Sequence, residues 1–467
     1  MFQKRIALCL VLTLLCIGVK ANAQKIAPEW AVSETLLATI DLASSPKEFF
    51  KTSPDKRRVA YTTRAGSKQC VILDGKEGKR YDGIEGLGPV FSPDSKHLTY
   101  MARVGSKHLV ITDGKEGKEY DDILVPGPVF SPDSSHVTYG AKVGSRCFLV
   151  LDGKEQKQYD GIAGGPIFSP DSKRVAYVAR VGSNQCLVVD GKEGKRYDGV
   201  GATRGIFSPD SRRVAYGARI GSKWFVVVDG DEGKQYDGIE APGPIFSPDS
   251  KRVGFGAQAG GRRFLVIDGN EGKQYDSINA PGPIFSPDSR RVAYVAVVGS
   301  KQCLVLDGKE GKQYDGVGTT PSMFSPDSKR LAYGAKVGSK WFVVVDGNEQ
   351  KRYDSIGASG PVFSPDSKRV AYAAQLGKVQ FVVVNGKEGK QYDGTGTSGP
   401  VFSPDSKLVA YTAEISGKRF VVVNGKEGKQ YDDIITAGRK IPFDSPESFH
   451  YLALNGNSIY LVQQRVK

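Results

Sequence analysis

Short apolar runs alternate with turn-forming residues along almost the whole chain, and they do so with a fixed period. The tripeptide Ser-Pro-Asp marks this period. Its serines are Ser53, Ser92, Ser131, Ser169, Ser208, Ser247, Ser286, Ser325, Ser364 and Ser403. Every step is 39 residues except one step of 38 between Ser131 and Ser169. Such a period is typical of one supersecondary unit copied many times, so a repeat array is predicted rather than two or three unrelated domains.

Each copy contains four strand signals separated by turn residues. In the fourth copy they cover residues 165–168, 174–181, 186–189 and 195–200. The third strand is apolar at consecutive positions, which predicts a strand that is covered on both faces. Four-stranded antiparallel sheets stacked face to face around an axis meet that demand. The sequence therefore predicts an all-β fold, a β-propeller of four-stranded antiparallel blades.

Two incomplete pieces flank the array. One strand signal, at residues 36–42, precedes the first copy, and three signals follow the tenth. Pairing the two ends would hide two open sheet edges and make an eleventh, composite blade. Two rings in tandem are an alternative, because propellers typically have four to eight blades. The predicted organisation is a leader at 1–23, an N-terminal segment with the closing strand at 24–51, ten repeats at 52–434 and a partial repeat at 435–467.

The repeat resembles a known type. Residues 168–177, Phe-Ser-Pro-Asp-Ser-Lys-Arg-Val-Ala-Tyr, and the Val-Val-Asp-Gly at the end of the third strand are similar to the TolB-type, WD40-like (PD40) propeller repeat. The resemblance implies a propeller. Ser172 stands where that family usually has glycine, and the Gly-His and Trp-Asp pairs of true WD40 repeats are missing. Residues 24–51 are too few for the α/β domain that precedes the propeller of TolB.

The N-terminus reads as a secretory signal. Lys4 and Arg5 precede an apolar run at residues 6–19, and Ala-Asn-Ala at 21–23 offers a cleavage site before Gln24. That run is shorter than the roughly 20 apolar residues that a membrane span requires, and no later segment is apolar enough to span. The protein is therefore expected to be exported, to the periplasm or the medium, and to have no transmembrane segment.

Cleavage would leave four cysteines. Cys70, Cys186 and Cys303 share a repeat position at which other copies have leucine or phenylalanine, and Cys147 is offset by one residue. Equivalent positions in separated copies cannot bring their Cα atoms within the roughly 7 Å that a disulfide needs. Four free, buried thiols are expected.

The formal net charge of +14 favours attraction to anionic polymers. Lysine and arginine are nevertheless interleaved with aspartate and glutamate in every copy, as on a soluble surface. A protein or an anionic envelope polymer is therefore the expected partner. Nucleic acid is not expected, and the sequence makes no prediction of oligomeric state.

None of the recurrent motifs indicates catalysis. Asp-Gly-Lys-Glu-Gly-Lys lacks the Ser or Thr and the following helix of a phosphate-binding loop, and it lacks the oxygen ligands of a calcium loop. Ser-Pro-Asp-Ser fails as a sialidase Asp-box, and no Gly-x-Ser-x-Gly elbow exists. His97 and His136 occupy the repeat position of Arg174 and are interpreted as surface replacements. No catalytic residue, metal ligand or cofactor is predicted.

Positions at which the copies differ are the candidate binding sites. They include short segments before the Ser-Pro-Asp turn, such as residues 124–126, 202–204, 240–242 and 319–321, and one position at the start of the third strand. Because Trp and Arg are common interface anchors, the candidate partner-binding residues are Arg204, Trp224, Arg263 and Trp341. Drift without selection explains the same variation equally well. The variable segments are expected on the face of the ring opposite the Ser-Pro-Asp turns.

Three functions follow from these observations. The first is an exported, non-enzymatic scaffold that binds a protein or a cell-envelope component. The second is a hydrolase or lyase acting on a glycan or lactone in the channel. The third is a structural surface protein. The first is favoured because near-identical copies create near-identical environments, whereas an active site needs unlike groups at one point.

Overall fold

The computed structural model describes residues 30–40, 50–201, 206–279, 282–318, 323–435 and 440–466. Within these ranges there is no helix, and so none with the length and apolar character to cross a bilayer. The described residues form eleven antiparallel sheets, called blades below, in one closed propeller ring. The all-β propeller of ten repeats and one composite blade is therefore confirmed, and the alternative of two rings is wrong.

Each blade has four strands, numbered here by their order across the sheet, and the blades are numbered 1 to 11 in the chain order of their second strands. The second strands are Val59–Ala65, Leu98–Val104, Val137–Val143, Val175–Val181, Ala215–Ile220, Val253–Ala259, Val292–Val298, Ala332–Val337, Val370–Leu376, Val409–Ile415 and Ser448–Asn455. The third strands are Lys68–Leu73, Lys107–Thr112, Arg146–Leu151, Asn184–Val189, Lys223–Val228, Arg262–Ile267, Lys301–Leu306, Lys340–Val345, Val379–Val384, Lys418–Val423 and Ser458–Val466. The fourth strands are Lys76–Glu77, Lys115–Glu116, Lys154–Glu155, Lys192–Tyr197, Asp231–Glu232, Asn270–Glu271, Lys309–Tyr314, Asn348–Glu349, Lys387–Glu388, Lys426–Glu427 and Trp30–Thr39.

The first strands are the least regular, and six of them are split in two. The unsplit ones are Lys51–Thr52, Gly83–Phe91, Gly161–Phe168, Gly199–Gly201 and Gly316–Val317. The split ones are Asp122–Ile123 with Val129–Phe130, Gly238–Ile239 with Ile245–Phe246, Ser277–Ile278 with Ile284–Phe285, Ser355–Ile356 with Val362–Phe363, Gly394–Thr395 with Val401–Phe402, and Asp433–Ile435 with Phe443–Ser445. Both halves of each split strand pair with the second strand of their own blade.

The predicted fourth strand at 195–200 is wrong in its boundaries. In blade 4 this strand is Lys192–Tyr197, and the next strand, Gly199–Gly201, already belongs to blade 5. The reason is the tight hairpin at Asp190-Gly191, whose φ values of 52° and 76° place both residues in the left-handed region. Such a two-residue turn lets pairing resume at once, so Val189 faces Lys192 directly.

The ring closes through the N-terminal strand, as predicted. Trp30–Thr39 pairs along its length with Ser458–Val466 and becomes the fourth strand of blade 11; residues 41 and 42 of the predicted strand lie outside the described residues. Glu34 binds Lys429 at 2.8 Å and accepts a hydrogen bond from Tyr431. Elsewhere in the ring a glutamate of the next blade does the same, as Glu232 does for Lys195 and Tyr197.

The core lies between blades rather than within them. Ala176, Val178 and Leu187 of blade 4 pack against Tyr216 and Phe225 of blade 5, and this arrangement recurs around the ring. The centre of each third strand is therefore dry on both faces, which accounts for its uninterrupted apolar sequence. The four cysteines within the described residues are buried free thiols, as expected, and Cys70, Cys186 and Cys303 lie in these layers.

Polar contacts between the Ser-Pro-Asp turns join neighbouring blades. The amide of Asp171 donates to the hydroxyl of Ser211 in the next blade at 2.9 Å, and Arg174 donates to the Ser211 carbonyl. The Arg174 guanidinium also lies 5.1 Å from the centroid of the Phe207 ring. Nine amide-to-hydroxyl links of this kind run from Asp55 through Asp366. The repeated motif is thus explained by the joints between blades.

A charge placed at the closing contact tests whether the ring depends on it. Ala38 is 3% exposed and packs at the junction of blades 11 and 1, whereas Val32 on the same strand is 45% exposed. Ala38→Asp should lower the free energy of unfolding by roughly 3 kcal/mol or more, because it buries an unpaired carboxylate. Val32→Asp should change it by less than about 0.5 kcal/mol. Denaturant unfolding measures both, and equal effects would contradict closure through this strand.

The Ser-Pro-Asp carboxyls predict loss of stability in acid. The Ser169 hydroxyl and the Lys173 amide donate to Asp171 and hold the pKa of its carboxyl below the usual 3.8. The pKa of the equivalent carboxyl is lowered in the same way in eight other blades. Because the folded pKa is the lower one, the stabilisation is complete above about pH 4 and is lost as the pH falls through the folded value. Melting temperatures measured from pH 7 to pH 2 should fall below about pH 4; a rise there would contradict the assignment.

Candidate binding faces

The ring has two unlike faces. The upper face carries the Ser-Pro-Asp turns and the Asp-Gly hairpins, which are joined within a blade by contacts such as Arg174 Nε to Asp190 Oδ2 at 3.0 Å. The lower face carries the hairpin tips between second and third strands and the Tyr-Asp links between blades. There the Gly182 amide donates to Asp160 Oδ2 at 2.7 Å.

The variable segments that the structure describes, 124–126 and 240–242, lie between the two halves of a first strand and not among the lower-face hairpin tips, contrary to the expectation. Residues 124–128 interrupt the first strand of blade 3, between two halves that both pair with Val137–Val143. Neighbouring first strands contact one another here, since a Cβ on Gly165 would lie 3.3 Å from Pro126 Cδ. First strands are therefore innermost, and their interruptions line the central channel. Segments 202–204, with Arg204, and 319–321 lie outside the described residues.

The two candidate tryptophans are half-buried in the scaffold. Trp224 packs over glycines of its own blade, with its ring carbons 3.4 Å from the Cβ position of Gly201 and 3.9 Å from that of Gly217. Arg219 lies 5.8 Å from the centroid of its ring. Trp341 lies beside Gly334 and beneath Lys336 in the same way. Both indoles fill space that the glycines leave open.

Arg263 and the remaining members of that position also bind within the ring. Arg263 forms an ion pair with Glu240 at 2.7 Å in its own blade. Where the residue is glutamine, its side-chain oxygen accepts an amide of the next blade, as Gln185 does from Val200 at 2.9 Å. Cys147 belongs to this position too, because it bridges to Tyr159 as Trp224 does to Tyr236. The structure thus brings Trp224, Arg263 and Trp341 to equivalent places in blades 5, 6 and 8, not to one common site.

Grooves open on the upper face between adjacent blades. The groove between blades 1 and 2 has a volume of about 550 Å³ and an apolar floor of Val71, Leu73, Leu98 and Tyr100. Equivalent grooves of about 450 and 430 Å³ lie between blades 2 and 3 and between blades 5 and 6. Lys76 and Lys96 stand at the rim of the first groove, one from each blade.

Most charges around these grooves are paired; most of the remainder are cationic, and Asp231 in the groove between blades 5 and 6 is an exception. Arg58 binds Asp74, and Lys79 binds Glu116 of the next blade at 2.8 Å. Two other repeat positions carry exposed cations, one following the Asp-Gly turn and one following Ser-Pro-Asp-Ser. Within the described residues, the members of these positions that make no ion pair are Lys76, Lys115, Lys154, Lys192, Lys309 and Lys387, and Lys173, Arg212, Lys251, Arg290, Lys329 and Lys368. They form two interrupted arcs of positive charge, because the first position is Asp231, Asn270 and Asn348 in blades 5, 6 and 8 and the second is Ser135 in blade 3.

The three grooves share an apolar floor but differ at their rims, where Lys76 and Lys115 of two grooves are replaced by Asp231 in the third. Across the parts of the chain that the structure describes, no cluster of three or more His, Cys, Asp or Glu side chains is placed to hold a metal ion.

No protein-family model matches the chain, and no curated protein matches it. Among solved structures, it is similar to a eukaryotic initiation factor at 10% identity and TM-score 0.42, over 81% of this chain and 96% of that chain. It is similar to TolB from Acinetobacter baumannii at 16% identity and TM-score 0.24, over 56% and 77%. It is similar to the Myceliophteria thermophila Cps50 (Swd1) β-propeller domain at 11% identity and TM-score 0.26, over 59% and 100%. Membership of the TolB-type repeat family stays a prediction.

Removing the indole of Trp224 distinguishes packing from partner contact. Trp224→Ala should lower the free energy of unfolding by roughly 2 kcal/mol, below the 3–5 kcal/mol of a fully buried site, because the side chain is half-buried. Ser222→Ala, in the adjacent exposed turn, should change it by less than about 0.5 kcal/mol. Denaturant unfolding provides the measurement. If Trp224→Ala left the free energy of unfolding unchanged, the packing role would be contradicted and contact with a partner would be the better explanation for the tryptophan.

Proposed function

We propose that the protein is a non-enzymatic, exported scaffold that binds an anionic envelope polysaccharide along its upper face. The observation that carries the proposal is the recurrence of unpaired lysine and arginine at two repeat positions beside apolar-floored grooves. The face is rigid because its turns are joined from blade to blade. A rigid, preorganised surface loses little conformational freedom on binding.

Because similar grooves recur around the ring, this surface is suited to a polymer. A single groove offers one or two cations, which is enough only for weak binding of a small anion. A chain that carries a charge on every few units can occupy several grooves of the same molecule. Each further contact is then intramolecular, and overall affinity rises without any new kind of contact.

Charge density favours a polysaccharide over a nucleic acid. Each groove rim also carries carboxylates, such as Glu77 and Asp74 beside Lys76. A densely charged phosphate backbone would be repelled by them, whereas a sparsely carboxylated glycan can place its charges on the lysines alone. The apolar floor accepts the apolar face of a sugar ring. Export, indicated by residues 1–23, would bring the protein to such a polymer.

The binding test uses the chain from Gln24 and polygalacturonate as the polycarboxylate probe. The triple variant Lys154→Gln, Lys192→Gln, Lys309→Gln removes three unpaired upper-face cations. It should weaken binding about tenfold or more and reduce the slope of log K against log salt by roughly 2, given about 0.7 released counterions per contact. Titration calorimetry at several salt concentrations measures both quantities.

The matched control removes the same charge from the lower face. Lys107, Lys301 and Lys340 are each ion-paired with an aspartate there, and changing all three to glutamine should leave binding within about twofold. An equal loss in both triple variants would reduce the effect to net charge and overturn the proposal. So would competition by monomeric galacturonate at the same concentration of carboxylate, or tighter binding of single-stranded DNA.

A further inference from the structure

The lower face presents a ring of hairpin tips that begin with an aliphatic residue. Second and third strands are joined by two-residue turns, such as Gly105-Ser106 between Val104 and Lys107. Ten tips recur at the period of the blades. The residues that begin them are Ala65, Val104, Val143, Val181, Ile220, Ala259, Val298, Val337, Leu376 and Ile415.

Five of these aliphatic side chains are exposed to water. Val143 is 47% exposed, Ile220 43%, Val104 42%, Leu376 41% and Val298 37%. Single exposed aliphatic residues are ordinary on protein surfaces. Here, however, the exposed aliphatic residues recur at one structural position and all lie on one face. Apolar surface gathered in this way indicates an interface.

Aspartates between neighbouring blades hold the tips in a fixed arrangement. Asp82 binds Lys68 of the blade 1 tip at 2.7 Å and accepts the Gly105 amide of the blade 2 tip at 2.6 Å. The lysine and that amide hold the pKa of the Asp82 carboxyl below its usual range. Asp121 links the next two tips in the same way, through Lys107 and Gly144. The aliphatic ring is thus rigid before any partner arrives.

We propose that this lower face is the interface with a second copy of the chain. Only a partner with the same angular period can meet all the tips at once, and a second ring has that period by construction. Two rings related by a twofold axis in the plane of the interface place aliphatic tips against aliphatic tips. Eight of the ten tips carry a lysine or arginine bound by an aspartate, as Lys107 is by Asp121, and these charges complement those of the facing ring.

The size of the face suits a stable dimer. Ten tips of four residues each, such as Val104 to Lys107, present forty residues, whereas a standard interface uses about 20–30 residues a side. A bilayer suits this face less well. Membrane-binding surfaces combine large apolar side chains with unpaired basic residues. Here eight of the ten tips carry a lysine or arginine paired with an aspartate, and Lys378 at the blade 9 tip makes no ion pair within the described residues. The dimer leaves both upper faces turned outward.

Oligomeric state tests the proposal on the full chain from Gln24, independently of polymer binding. Light scattering on a size-exclusion column at about 10 µM should give the mass of two chains. The triple variant Val143→Lys, Ile220→Lys, Val298→Lys should give the mass of one chain, with an unchanged circular dichroism spectrum. Val32→Lys, at an equally exposed aliphatic residue on the outer strand of blade 11, should remain a dimer.

A cross-linking experiment keeps the test decisive if the triple variant fails to fold. Ser106→Cys places a thiol at an exposed tip, and a short bismaleimide should join two chains there, whereas Ser135→Cys on the upper face should remain uncross-linked. A single-chain mass for the unmodified protein, or cross-linking at Ser135→Cys but not at Ser106→Cys, would overturn the proposal. So would a monomer that sediments with phosphatidylglycerol vesicles and loses that binding in the triple variant.

Discussion

Each blade of this propeller is dry on both faces, and that constraint governs the rest of the structure. A sheet whose third strand buries the consecutive residues Phe225, Val226 and Val227 has no side that it can turn to water. Its only stable surroundings are two other sheets. The unit of folding is therefore the interface between blades, and an array of such units has to close on itself or leave two apolar surfaces open.

The repeated polar motifs are consequences of the same constraint. Ser169 and Asp171 do not form a site; they fix a turn whose amide is bound by the next blade. The Lys195–Glu232 pair links the outer strands of blades 4 and 5 in the same manner. A motif that appears ten times needs an explanation that applies ten times, and contacts between neighbouring blades supply it.

The fold could be predicted because its sequence signals are local and repeated. The candidate site could not, because it depends on which lysines form ion pairs with carboxylates of the neighbouring blade. The 39-residue step and the apolar third strand imply stacked sheets without knowledge of any distance. The sequence equally displays Lys76 and Lys79, but only the structure separates them, because Lys79 is bound by Glu116 of the next blade and Lys76 is not. Trp224 is a candidate anchor because tryptophan is uncommon at its position. The structure places its ring against Gly201 and Gly217 of its own blade, a packing that the position alone does not reveal, and its contact with a partner stays a prediction.

The N-terminal strand has a consequence for how such a protein changes over time. Glu34 makes the same contacts as the glutamate of a repeat. The N-terminal strand can therefore pair with the end of the array whatever the number of repeats before it. Inserting or deleting one whole 39-residue copy would leave every contact type intact and alter only the turn angle from blade to blade. Copy number is then a quantity that gene duplication can adjust, and ring circumference becomes heritable variation without any new interaction.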